Sequence, residues 1–232
     1  MTPLRSTARL ALHGALAAAL LASASTALAQ TEDRAPVALQ SSSKMSQDKK
    51  GSESWTYAQP RDVFTKYRTL IVEPTTVYNG PDSQFDGDIS PADRAKFAAI
   101  LTDALQSELA KSFPAPAQPQ ADTLRMKVTL LGAEKTKGGL ATATRVTPIG
   151  FGLSAVKSAL GKGGSLTGSV LVSVELYDAK TNELLLAAVR RRSPDALDIP
   201  ATLGTEETVK AVAREFSETA RKRLEDLTQL PK

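Results

Sequence analysis

The stretch PDSQFDGDISPAD, Pro81 to Asp93, sets four aspartates within thirteen residues. Asp82, Gln84, Asp86, Gly87, Ile89 and Asp93 nearly overlay the spacing of a helix-loop-helix calcium loop. Asp82, Asp86 and Asp93 would be ligands, Gly87 would make the sharp turn and Ile89 would pack inward. Three features oppose this. Gln84 stands where a short acid or amide is usual, and Asp93 is one methylene shorter than the usual bidentate Glu. Asn79-Gly80-Pro81 leaves no helix to enter the loop. The same letters spell a helix start: Ser90 as cap, Pro91 at the first helical position, Asp93 as capping-box acid. Both readings claim Ser90 and Asp93, and the sequence favours the cap. A calcium-stabilised module stays as an alternative.

Ser154-Ala155-Val156-Lys157 matches the Ser-x-x-Lys of serine acyltransferases, where the lysine activates the hydroxyl from one helical turn away. Its companion Ser-Asp-Asn is absent, and Lys135-Thr136-Lys137-Gly138 only garbles the third motif. Lys157 reads better as an amine snorkelling from an apolar helix. Gly150-Phe151-Gly152 and Gly161-Lys162-Gly163-Gly164-Ser165 lack the glycine spacing of nucleotide loops and suit turns and a helix cap. Arg190-Arg191-Arg192 closes a predicted strand. Such a run is a solvated strand end or a grip for phosphates of lipid headgroups or for polysaccharide.

What the chain lacks narrows the chemistry further. It has no Cys and a single His, His13. His13 lies in MTPLRSTARLALHGALAAALLASASTALA, which reads as a secretory signal with a basic start, an apolar run Leu10 to Ala22 and a small-x-small site at Ala27-Leu28-Ala29. Cleavage is expected after Ala29. The competing reading, an uncleaved anchor, is weakened because a span needs about 20 apolar residues. The signal takes Arg5 and Arg9 and no acid with it, so the charge falls from +4 to +2. A balance so near neutral gives no argument for nucleic acid. The mature chain would keep neither imidazole nor thiol. That excludes a Ser-His-Asp triad, a thiolate nucleophile, an ordinary zinc site and a disulfide.

Residues 30–54 are polar and rich in Ser, Lys and Gln, and are expected to form a flexible leader. A single domain over 55–232 follows, with Trp55 and Tyr57 as first anchors. Thr69 to Glu73 is a short strand closed by Pro74, with a possible edge continuation through Val77 and Tyr78. Ser90 to Phe113 is a helix whose Phe97, Ile100, Leu101, Ala104, Leu105 and Leu109 share a face. PAPAQP, Pro114 to Pro119, ends it. Leu124 to Leu130 alternates as a strand with one wet face. Val170 to Tyr177 and Leu184 to Arg191 form an antiparallel hairpin around the turn Asp178 to Glu183. The apolar stretch Ile149 to Leu160 is a short helix, either a core helix or a contact surface. A last helix from Thr205 buries Val209, Val212, Ala213, Phe216, Ala220, Leu224 and Leu227. The predicted fold is α/β (α+β), a layered sandwich. A mixed sheet of about four strands packs with two amphipathic helices and one short apolar helix, in the order β-α-β-α-β-β-α.

In that order the residues resemble a bacterial family known as domain of unknown function 3313. The likeness is carried by Phe64-x-x-Tyr67-Arg68-x-x-x-Val72-Glu73-Pro74, by Ile89-Ser90 and by Asp122-Thr123-Leu124-Arg125. It continues through Pro148-Ile149-Gly150, Ala155-Val156-Lys157, Glu175-x-x-Asp178-x-x-Thr181-x-Glu183-Leu184 and Ala187-Ala188-Val189-x-Arg191-Arg192. Its members are described as candidate envelope lipoproteins. The resemblance implies an exported, envelope-associated protein and no particular activity. Such members end their signal at a lipid-bearing Cys; this chain has Ala27-Leu28-Ala29-Gln30 there and no Cys, so no lipid anchor is expected.

We therefore expect an exported, non-enzymatic binding or accessory module, periplasmic or secreted, with no transmembrane segment once mature. Its partner would be an envelope protein or a cell-wall or lipid component, not nucleic acid. No catalytic, cofactor-binding or metal-ligating residue is assigned. An envelope serine hydrolase using Ser154 and Lys157 is the alternative function.

Overall fold

Alternating apolar residues and two long amphipathic stretches set the architecture. The computed structural model describes residues 39–49, 54–136, 168–194 and 204–230. All of them lie in one unit, Asp33–Lys232. Strands β1 (Ser46–Gln47), β2 (Trp55–Ala58), β3 (Thr69–Val72), β4 (Thr76–Val77), β5 (Gln84–Phe85), β6 (Thr123–Glu134), β7 (Ser169–Asp178) and β8 (Leu184–Arg192) form one sheet. Helices α1 (Pro91–Leu109) and α2 (Thr205–Thr228) pack on one of its faces and on each other. The sheet order is β1-β2-β8-β7-β6-β3, and β4 and β5 also pair with β6.

The sheet is mixed, as expected, but the described residues hold eight strands rather than four. The extra ones are β1, β2, β4 and β5, of two or four residues each. A two-residue bridge carries no period for a sequence pattern to show. β3, β4 and β5 follow one another along the outer edge of β6, all parallel to it. Pro74 ends the first of them because it offers no N–H to the ladder. β6 also outruns its predicted end at Leu130. A register shift between Leu130 and Gly132 throws Leu131 out of step and breaks the alternation that would have revealed the rest. Gly132 is required there: a Cβ would lie 2.2 Å from the Gln84 carbonyl oxygen of β5.

The order predicted between β6 and β7 cannot be compared, since the short apolar helix Ile149 to Leu160 lies outside the described residues. Part of the stretch expected to form the polar leader pairs with the sheet. Ser46 and Gln47 oppose Thr56 and Trp55. Met45 is buried in a cluster with Tyr78, Leu131 and Val189, and Leu39, Trp55 and Tyr57 pack against it. A single methionine and a leucine supply the anchor that the polar composition hides.

The main core lies between sheet and helices. Phe97, Leu101, Leu105 and Leu109 of α1 and Val209, Val212, Ala213, Phe216 and Leu224 of α2 meet Met126, Val128, Leu130, Val170, Val172 and Leu176. α1 starts as the capping pattern requires. Ser90 Oγ accepts the Asp93 N–H at 3.1 Å, and Pro91 takes the first position. The helix stops at Leu109, short of Phe113, which turns inward and is 1% exposed. Among the described residues no helix is long and apolar enough to cross a membrane.

Candidate functional site

The strand period sends Val170, Val172, Val174 and Leu176 of β7 towards the helices and Leu171, Ser173, Glu175 and Tyr177 to the opposite face. Register then aligns that second face in rows across the sheet. Ser173 lies between Thr129 of β6 and Val189 of β8, with Trp55 of β2 beyond. Glu175 lies between Lys127 and Ala187, with Tyr57 beyond. The result is two polar positions flanked on one side by Thr129 and Lys127 and on the other by an apolar patch edged by two aromatic side chains.

These polar groups are buried. Ser173 is 0%, Glu175 2% and Thr129 5% exposed. Thr129 meets the Thr76 hydroxyl at 3.2 Å. Glu175 Oε1 and Ser173 Oγ have no hydrogen-bond partner. An unpaired buried oxygen forfeits its hydration without replacement, which costs about 1–3 kcal/mol and more for a charged group.

Tyr177 borders the pair. Burial first, and then the neighbouring Glu175 carboxylate, push its phenol up to about 12. It is therefore a donor at neutral pH and not a base. The Arg125 guanidinium lies 5.0 Å from its ring centroid, donates to Glu73 Oε1 at 2.9 Å and bonds Asn182 Oδ1. Among the described residues this face has one buried carboxylate, Glu175, a second and more exposed acid, Glu73, paired with Arg125, and a tyrosine held protonated.

Asp178, next along β7, has a different task. Its Oδ2 accepts the Tyr67 hydroxyl at 2.8 Å and the Lys66 ammonium at 3.2 Å. Its Oδ1 accepts the amides of Lys180 and Thr181, both at 2.9 Å. Burial alone would raise its pKa. The Thr181 amide, the Tyr67 hydroxyl, Lys66 and the Lys180 amide outweigh that and hold the carboxyl well below the usual range. It fixes the hairpin turn and ties it to the helical segment Arg61–Lys66.

The residues singled out from sequence fare unequally. The carboxylates of Pro81 to Asp93 do not converge. Asp82 takes the Tyr78 hydroxyl, Asp86 Oδ2 the Lys135 N–H at 2.7 Å, Asp88 the Lys135 ammonium, and Asp93 caps α1. Gln84 lies in β5, pairs with Gly132 of β6 and accepts from Arg191 at 2.6 Å. Among the described residues, no three His, Cys, Asp or Glu side chains gather about a metal-sized point. Ser154 and Lys157, and both glycine-rich stretches, lie outside the described residues. Arg190 donates to Asp48 at 2.7 Å and to the Trp55 carbonyl at 2.8 Å, so it pins β1 and β2 to β8. Arg191 pairs with Glu134 at 3.0 Å. Glu175 and Ser173 were missed as a site because one wet face was expected. The available signal was their company: Leu171, Leu184, Ala187 and Val189 make that face apolar too.

Fold and site together define a layered α+β protein, one mixed sheet with helices on one face and a buried polar pair on the other. The family model described as a protein of unknown function, DUF3313, matches residues 37–220, and the chain belongs to that family. No curated protein matches it. Among solved structures it is similar to the PelC dodecamer from Paraburkholderia phytofirmans, at 11% identity and TM-score 0.37, over 71% of this chain and 94% of that one. It is also similar to a candidate lipoprotein from Caulobacter crescentus, at 15% identity and TM-score 0.28, over 73% of this chain and 92% of that one.

Proposed function

We propose that this protein is an exported, non-enzymatic module of the bacterial envelope. It binds a partner or envelope component through the second face of its sheet. The observation that carries the reading is the buried pair Glu175 and Ser173: Glu175 Oε1 and Ser173 Oγ lack donors, although Tyr177 bonds the same carboxylate, and the apolar and aromatic cluster of Leu171, Ala187, Val189, Trp55 and Tyr57 lies to one side of them. The complement of such a pair is a group presenting hydrogen-bond donors, a hydroxyl or an ammonium, on an apolar body. The basic, apolar start of the chain and the implied envelope setting of its family support export.

The test has two arms. Cross-linking of the full chain in periplasmic extract supplies a partner, whose binding is then reconstituted from purified components. Loss of affinity in Glu175→Gln supports the proposal. In parallel, wild type and Ser154→Ala are assayed on acyl-ester and peptidoglycan substrates. Turnover that disappears with Ser154 would replace the binding reading with the hydrolase.

A further inference from the structure

The three successive arginines that close β8 have different surroundings. Arg190 is held by Asp48 and the Trp55 carbonyl, and Arg191 by Glu134, Gln84 and Ser169. Arg192 stands opposite Val170 on the helix-facing side, and its Nε is buried without a hydrogen-bond partner. It borders a cavity of about 90 Å³ whose other walls, among the described residues, are Ser193, Val212, Glu215, Phe216 and Thr219. The four wall residues from α2 recur at three- and four-residue steps, so they form one stripe of the helix, which Arg223 continues a turn further. Burial first, and then the like charges of Arg223 and Arg190, pull the Arg192 guanidinium below its ordinary pKa. Arg190 has Asp48 to balance it. Among the described residues neither Arg192 nor Arg223 has a carboxylate partner. The wall acid, Glu215, is itself engaged with another group. A desolvated cation beside a second cation is unfavourable until an anion completes it.

We propose that the cavity between the end of β8 and α2 binds a phosphate group, gripped by Arg192, bounded by Ser193 and Thr219, and attracted by Arg223, which is exposed beyond the lining on the same stripe of α2. Guanidinium forks match the oxygens of a tetrahedral anion in a way that a lysine would not. The volume of about 90 Å³ is of the size of one such group. The phosphate is either free or the headgroup of a phospholipid. The site lies across the sheet from Glu175 and Ser173 and does not depend on their role.

Two probes separate the sources. The full chain is titrated calorimetrically with inorganic phosphate at fixed ionic strength. It is also sedimented with phosphatidylglycerol and, separately, phosphatidylcholine vesicles. Saturable phosphate binding is expected, weakened about tenfold or more in Arg192→Gln and several-fold in Arg223→Gln. Sedimentation with phosphatidylglycerol alone, lost in Arg192→Gln, assigns the phosphate to a lipid headgroup; phosphate binding without sedimentation assigns it to a free ion. In phosphate-free buffer Arg192→Gln should melt about 2–4 °C higher than wild type, because the unpaired charge is gone. The proposal is overturned if neither probe binds saturably, or if Arg192→Gln binds as wild type does.

Discussion

Asp178 and Tyr177 are neighbours on β7, and their environments push their pKa values in opposite directions. Asp178 has a folded pKa below its unfolded value. The stability it contributes is complete above about pH 4 and drains away as pH falls towards the folded value. Asp178→Asn should therefore lower the urea midpoint at pH 7 and flatten the acid limb of a stability–pH curve. An unchanged acid limb would show that the Tyr67, Lys66 and turn contacts do not favour the charged form. Tyr177 has a raised folded value, so its contribution is present below about pH 10 and is lost as pH climbs to about 12. Tyr177→Phe should remove that alkaline loss, as followed by fluorescence in a base titration. The motif quoted for the family, Glu175-x-x-Asp178-x-x-Thr181, showed spacing alone. It did not show that Asp178 turns inward to Tyr67 and that Glu175 is buried.

Elements were legible to the extent that they repeat. α1 and α2 each carry enough turns to display an apolar stripe, and every residue predicted for those stripes is buried or partly buried in the main core. The β7–β8 hairpin was legible from alternation flanking a polar turn. The edge was legible in part: β3 was expected over Thr69 to Glu73 and a continuation through Val77 and Tyr78, where β4 lies, but β5 is held by the partner β6 rather than by its own pattern, and the shift at Leu131 disguises the strand they follow. Gly132→Ala tests that edge. Its new Cβ would meet backbone 2.2 Å away, so β5 must leave β6, at a cost of about 2–3 kcal/mol measured by urea denaturation. A midpoint within experimental error of wild type would mean that β5 is dispensable. The loop that carries β5 also bears on the calcium alternative. With Asp82, Asp86 and Asp93 committed to Tyr78, Lys135 and the helix cap, the melting midpoint should not move on adding millimolar calcium; a rise would restore the metal reading.

At the scale of the whole molecule, helices bury one face of the sheet while the other carries polar groups that no stability argument explains. Composition made the absence of thiol plain and placed the single imidazole, His13, in the stretch read as a signal, which made export an expectation. Mass spectrometry of the exported chain should find Gln30 at its start, and an intact Met1 would refute cleavage. The binding face could not be read from the sequence, because its polar members come from strands that only the register brings together. Its defining property is energetic. If Glu175 is retained to meet a ligand, it destabilises the free protein. The most direct measurement is urea denaturation of purified wild type against Glu175→Gln, without any partner. The account predicts a higher midpoint for the variant, equivalent to about 1–2 kcal/mol. A midpoint lowered by that amount would show that the carboxylate supports the fold, and the binding face would lose its basis.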